Sequence, residues 1–79
     1  MRQWHAGDGW HIDVRGCPPP QPLVAILKLV RSMRDDTPVI VHHDRDPVML
    51  YPELAELGWR AERVEAPGDE VRLLLRRAT

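Results

Sequence analysis

From Trp10 to Arg15 apolar and polar positions alternate, with Trp10, Ile12 and Val14 on one side and His11, Asp13 and Arg15 on the other. That period of two is the mark of a strand buried on one face. Leu23, Ile26, Leu27, Val30 and Met33 then recur at helical spacing, predicting a helix from about Pro22 to about Met33, with Lys28, Arg31 and Arg34 toward solvent and its C-terminal end. Asp35-Asp36-Thr37-Pro38 ends it, and the β-branched run Val39-Ile40-Val41-His42 reads as a short buried strand. A strand-helix-strand order favours a right-handed crossover, so these two strands should be parallel neighbours.

Asp46-Pro47 suits the start of a second helix, with aspartate as cap and proline in the first turn; Val48, Leu50, Tyr51, Leu54 and Leu57 supply its stripe and Gly58 its stop. Pro52 should kink this helix or confine its regular part to the residues that follow, leaving Pro47 to Tyr51 as a tighter turn. Trp59 to Glu65 and Glu70 to Arg76 read as strands of an antiparallel hairpin around Ala66-Pro67-Gly68-Asp69, with Val71, Leu73 and Leu75 facing one way. The expected fold is α+β: a two-layer βαβαββ sandwich, both helices on one face of a mixed four-stranded sheet, with His11, Asp13 and Arg15 on the open face. Residues 1–79 read as a single domain, with 1–9 an irregular N-terminal extension turning at Gly7-Asp8-Gly9.

Composition adds few constraints. With 79 residues, 43% hydrophobic and 29% charged, the chain is of ordinary globular make-up, and a net charge of -1 gives no global attraction to nucleic acid or an anionic membrane. Arg72, Arg76 and Arg77 form too small a basic patch to change that. No apolar run is long enough to span a bilayer and Met1 to His5 lack a signal-peptide core, so the expected location is cytoplasmic. The single Cys17 fits a reducing compartment. Four histidines without a ligand spacing predict no metal site, and no cofactor is expected; the Trp4-His5 and Trp10-His11 pairs keep a histidine metal or haem site as a weaker alternative. Oligomeric state is left open, although the charges on the open face and last strand disfavour pairing of two chains there.

The chemistry concentrates at one edge. Gly16-Cys17-Pro18-Pro19-Pro20-Gln21-Pro22 holds four prolines in five positions, which predicts a stiff, extended arm leading into the first helix, with Pro22 in its first turn. Cys17 is thereby brought near a helix N-terminus, or else serves as a small apolar filler beside a proline-set turn. Parallel strands place Arg15, Gly16 and Cys17 beside His42, His43, Asp44 and Arg45, at the edge where open α/β sheets bind ligands. Adjacent strand residues point to opposite faces, so only one of the two histidines can reach Cys17. Arg15 is expected to pair with Asp13 or Asp44. A purely structural account has His42 capping the strand, His43 in solvent and Asp44 or Asp46 capping the next helix.

Asp13-Val14-Arg15-Gly16, two residues, then Pro19-Pro20-Gln21-Pro22-Leu23 resembles the signature of the TusA-like (SirA-like) bacterial sulfur carriers, Asp-x-Arg-Gly, two residues, then Cys-Pro-x-Pro. The resemblance runs from Trp10 to Arg76 and implies the same βαβαββ fold. It places Pro19 where those proteins carry the sulfur on a cysteine. Together with His43-Asp44-Arg45-Asp46-Pro47 and Leu50-Tyr51-Pro52, that proline is similar to an uncharacterised bacterial branch, a domain of unknown function sometimes found with hemerythrin-like domains. The resemblance implies a binding or regulatory module rather than an enzyme, with Arg15, Gly16, Pro19, Pro20, Pro22, His42, His43, Asp44 and Arg45 offering a docking edge to a protein partner or small ligand, because stiff prolines lose little entropy on binding. The alternative is a persulfide carrier using Cys17, two positions upstream, with a histidine as base.

Overall fold

The computed structural model describes residues 1–78. Its elements are β1 (Arg2–Ala6), β2 (Gly9–Asp13), α1 (Gln21–Ser32), β3 (Val39–His43), α2 (Leu50–Glu56), β4 (Trp59–Val64) and β5 (Val71–Arg77). They form an α+β domain with one mixed five-stranded sheet in the order β1-β2-β3-β5-β4. β2 and β3 are parallel neighbours, paired from Trp10 opposite Val39 to Asp13 opposite His42. β5 then lies antiparallel between β3 and β4.

The sheet therefore has five strands, not four. Residues 2–6 are not irregular: they fold back on β2, with Trp4 opposite His11 and Ala6 opposite Gly9 around the two-residue turn Gly7-Asp8. Arg2-Gln3-Trp4-His5-Ala6 lacks apolar alternation because β1 is an edge strand whose residues are exposed or only half-buried. β3 is the opposite case, with all five residues buried in the middle of the sheet. This is the burial that a continuous β-branched run prefers.

α1 begins almost where the periodicity places it. Pro22 occupies the first turn, where its missing N–H costs no hydrogen bond, and Ile26, Leu27, Leu29 and Val30 form the buried stripe. α2 starts late, close to the reading in which Pro52 confines the regular helix and leaves Pro47 to Tyr51 as a tighter turn. It begins at Leu50 rather than at Asp46-Pro47, with Pro52 now in the first turn. Residues 46–50 instead make two tight turns, Val48 N donating to the Asp46 carbonyl at 2.9 Å and Leu50 N to that of Pro47 at 2.9 Å. Asp46 caps no helix; its carboxylate accepts a hydrogen bond from the Tyr51 hydroxyl. That contact and partial burial raise the Tyr51 pKa to about 12, burial being the larger cause.

Ile12, Val14, Val39, Val41, Leu73 and Leu75 from the sheet share one core with Ile26, Leu50 and Leu54 from the helices, and each of these is essentially inaccessible. Among the described residues no helix is long and apolar enough to cross a membrane.

Candidate functional site

Beyond their last paired residues, β2 and β3 lead into two loops that are tied together. Val14 N donates to the His42 carbonyl at 3.0 Å, and Gly16 N donates to Asp44 Oδ2 at 2.9 Å. Gly16 adopts φ 79°, a conformation glycine enters without Cβ strain. Its N–H is the leading cause of the lowered Asp44 pKa. The proline arm is not extended: Gln21 N closes a turn onto the Pro18 carbonyl at 3.0 Å, and the Pro19–Pro20 peptide is cis. Cys17 N reaches back to the Val14 carbonyl at 3.2 Å, so the arm folds against the end of its own strand.

Between this arm and residues 45–50 lies a cleft of about 430 Å³. Pro19, Pro20, Pro22 and Leu23 form one wall, and Pro47, Val48, Met49 and Leu50 the other. Cys17, His43, Arg45 and Asp46 complete the lining. Val48 and Met49 are 65% and 73% exposed, an uncommon setting for two adjacent apolar side chains.

His43 is only 3% exposed and belongs to the inward row of β3. Its Nδ1 accepts from the backbone N–H groups of Asp44 at 2.9 Å and Arg45 at 3.3 Å. Asp44 Oδ1 lies 3.2 Å from the same nitrogen, but two N–H groups already aim at Nδ1, so the ring proton is assigned to Nε2. Nε2 has no protein partner among the described residues. Among the described residues no fully buried side-chain nitrogen or oxygen lacks a partner, so Nε2 keeps some access to solvent, and the ring lines the cleft.

His42 projects to the other face of the sheet, where the structure builds a second polar assembly. His11 Nε2 contacts Asp8 Oδ1 at 2.7 Å, His11 Nδ1 contacts His42 Nε2 at 2.8 Å, and His42 Nδ1 contacts Glu70 Oε2 at 2.7 Å. Trp4 stacks over both imidazoles, with ring centroids 4.9 and 5.4 Å away. Glu70 also accepts from Arg72 Nε at 2.7 Å and from Arg15 at 3.3 Å. Arg72 is the main reason that the Glu70 carboxyl sits below its ordinary range. Arg15 grips both oxygens of Asp13, at 3.0 and 2.8 Å, and these bonds bring the Asp13 pKa down to about 2. Each of these three contacts needs one proton, and two neutral imidazoles carry two.

The family model described as an uncharacterized conserved protein, DUF2249, matches residues 11–77. The chain belongs to this family. No curated protein matches it. Within the DUF2249 domain the residues singled out from the sequence fall into three groups. Cys17, Pro19, Pro20, Pro22, His43 and Arg45 are brought together around the cleft. Gly16 and Asp44 form the tie that holds its two loops. Arg15 and His42 lie on the opposite face and belong to the polar assembly.

His43 is thus not solvated and His42 is not a simple strand cap; both are buried. Arg15 pairs with Asp13 as expected, and with Glu70 rather than Asp44. Sequence reasoning missed Glu70, Asp8 and Trp4, and the cleft wall Val48-Met49. The matching outward parity of His11 and His42 on neighbouring strands was the one available signal for the assembly. Among the described residues no set of three or more histidine, cysteine or acidic side chains is placed to hold a metal ion.

Proposed function

We propose that this DUF2249 domain is a non-catalytic binding module of TusA-like ancestry, in which the cleft beside the proline turn replaces the carrier thiol as the working part. Position 19 is proline and offers no nucleophile. The observation that carries the reading is the pair Val48 and Met49, held out to solvent opposite a wall of prolines. Covering each side chain would contribute on the order of 1.5–3 kcal/mol, and the proline wall is already ordered before anything binds. The free Cys17 suits a cytoplasmic setting.

Affinity capture from host extract, read by mass spectrometry for proteins and small molecules, tests this. Species retained by the wild type should be lost with Met49→Asp and kept with Arg60→Glu, an exposed position on β4. Equal retention by all three proteins would remove the cleft from the account.

A second reading is favoured by one observation, that the half-buried Cys17 lines the same cleft as His43. In it Cys17 accepts a sulfane sulfur from a desulfurase persulfide and the donor cysteine leaves as a thiolate. Incubation with a cysteine desulfurase and cysteine should then add one sulfur to the intact mass of wild type and none to Cys17→Ser. An unchanged wild-type mass would leave the binding reading alone.

A further inference from the structure

Resting on the binding reading above, we infer that the cleft recognises a small neutral ligand, an apolar body bearing one carbonyl oxygen, and that the Nε2–H of His43 is the group that reads the carbonyl. The inference starts from a donor without a partner. His43 is more than nine-tenths buried, its Nδ1 is committed to the backbone of Asp44 and Arg45, its Nε2–H has no partner among the described residues, and its ring lines this cleft. Burying a donor whose hydrogen bond is not made costs about as much as losing one, on the order of 1–3 kcal/mol. A bound oxygen acceptor avoids that cost, whereas a purely apolar occupant incurs it by displacing the water that reaches Nε2.

The remaining lining sets charge and size. Asp46 places a carboxylate in the same wall, where it accepts a hydrogen bond from the Tyr51 hydroxyl. Arg45 is 65% exposed and already lies 3.9 Å from Asp44, so its charge is largely spent on solvent and that neighbour. An anionic ligand would meet Asp46, and a cationic one has no acceptor to offer His43. A neutral carbonyl compound suits both groups. The volume of about 430 Å³ falls within the range of small-molecule sites, and the proline, valine and methionine walls suit an alkyl or aromatic body.

Three probes separate the terms: 2-heptanone, the near-isosteric anion hexanoate, and the cation hexylamine, each titrated into ¹⁵N-labelled protein. With 2-heptanone the amides of Leu23, Val48 and Met49 and the His43 Nε2 resonance should move together, with hexanoate and hexylamine binding at least tenfold more weakly. His43→Asn keeps an acceptor near the Nδ1 position but has no group at Nε2, and should weaken 2-heptanone about tenfold, the equivalent of about 1.4 kcal/mol. His43→Gln restores a donor near Nε2 and should recover most of that loss; for either variant the backbone spectrum reports whether the fold is kept. If 2-heptanone binds His43→Asn as tightly as wild type, or if hexylamine binds as well as the ketone, the inference is overturned while the cleft remains a binding site. If no probe moves the cleft resonances the inference also fails, and the binding reading then stands or falls on the Met49→Asp capture.

Discussion

Gly9 shows how much one position can govern. Its φ is 137°, and a Cβ there would lie 2.3 Å from the Pro38 carbonyl oxygen, the atom that accepts the Trp10 N–H at 3.0 Å where β2 and β3 begin to pair. Gly9→Ala is therefore expected to cost at least about 2 kcal/mol, from backbone strain and displacement of that pairing. Gly7→Ala, with open space around its Cβ, should stay within about 0.5 kcal/mol. Urea unfolding of the two variants gives the comparison, and equal stabilities would refute the account of Gly9. Glu70 is a second such position. Its carboxylate serves His42, Arg72 and Arg15 at once from a side chain only 6% exposed. Glu70→Ala should lose about 2 kcal/mol by leaving these donors without their acceptor, and the loss should be smaller in a His42→Phe background, where one donor is already gone.

Among the elements, α2 carries the sharpest expectation. The stripe expected from the sequence counted Val48 together with Leu50 and Leu54. With the start at Leu50, those two leucines are inaccessible and Val48 and Met49 stand in solvent. Leu54→Ala should thus cost about 2–5 kcal/mol, whereas Val48→Ser should change stability by no more than about 0.5 kcal/mol. A large loss for Val48→Ser would mean that the first turn of α2 is misplaced. The reason for the late start is Pro52: in a helix begun at Pro47 it would sit inside and remove a backbone bond, but in one begun at Leu50 it sits where that N–H is unused.

For the molecule as a unit, the displaced carboxylates set the acid limit of stability. Asp13 has a folded pKa of about 2 against 3.8, and Glu70 is also lowered. A group whose pKa falls on folding stabilises the native state above its unfolded value and loses that contribution as pH drops toward the folded one. Stability should accordingly decline from about pH 4 down to about pH 2. Asp8, Asp35 and Asp44 are shifted the same way but are exposed, so solvent screening limits their part. Arg15→Ala should flatten the acid limb, because it removes the main cause of the Asp13 shift. At the other end Tyr51, raised from 10.0 to about 12, contributes below pH 10 and loses that contribution as pH rises through 12. Thermal unfolding across this range checks both limbs; an acid limb unchanged by Arg15→Ala would contradict the Asp13 assignment.

Much of this was legible before any coordinates. Alternation in Trp10 to Arg15, helical spacing from Leu23 to Met33 and the β-branched run at Val39 specify elements and their inward faces, because burial on one side of a strand or helix imposes its period on neighbouring residues. The order strand-helix-strand specifies parallel neighbours for reasons of chain handedness, and with them the placing of Cys17 at the same sheet edge as His42 and His43. The first strand was hidden, since an edge strand with little buried surface imposes no pattern. The late start of α2 was legible in part: Pro52 signals a regular helix that begins after Pro47, whereas its first residue, Leu50, is fixed by packing against the sheet. The assembly of Asp8, His11, His42 and Glu70 was out of reach for a stronger reason. Glu70 lies 28 residues beyond its histidine partner, and its carboxylate arrives there only because β5 inserts between β3 and β4. Local periodicity reports which way a side chain faces; which distant side chain it then meets depends on strand order, and that is settled when the whole sheet closes over a single core.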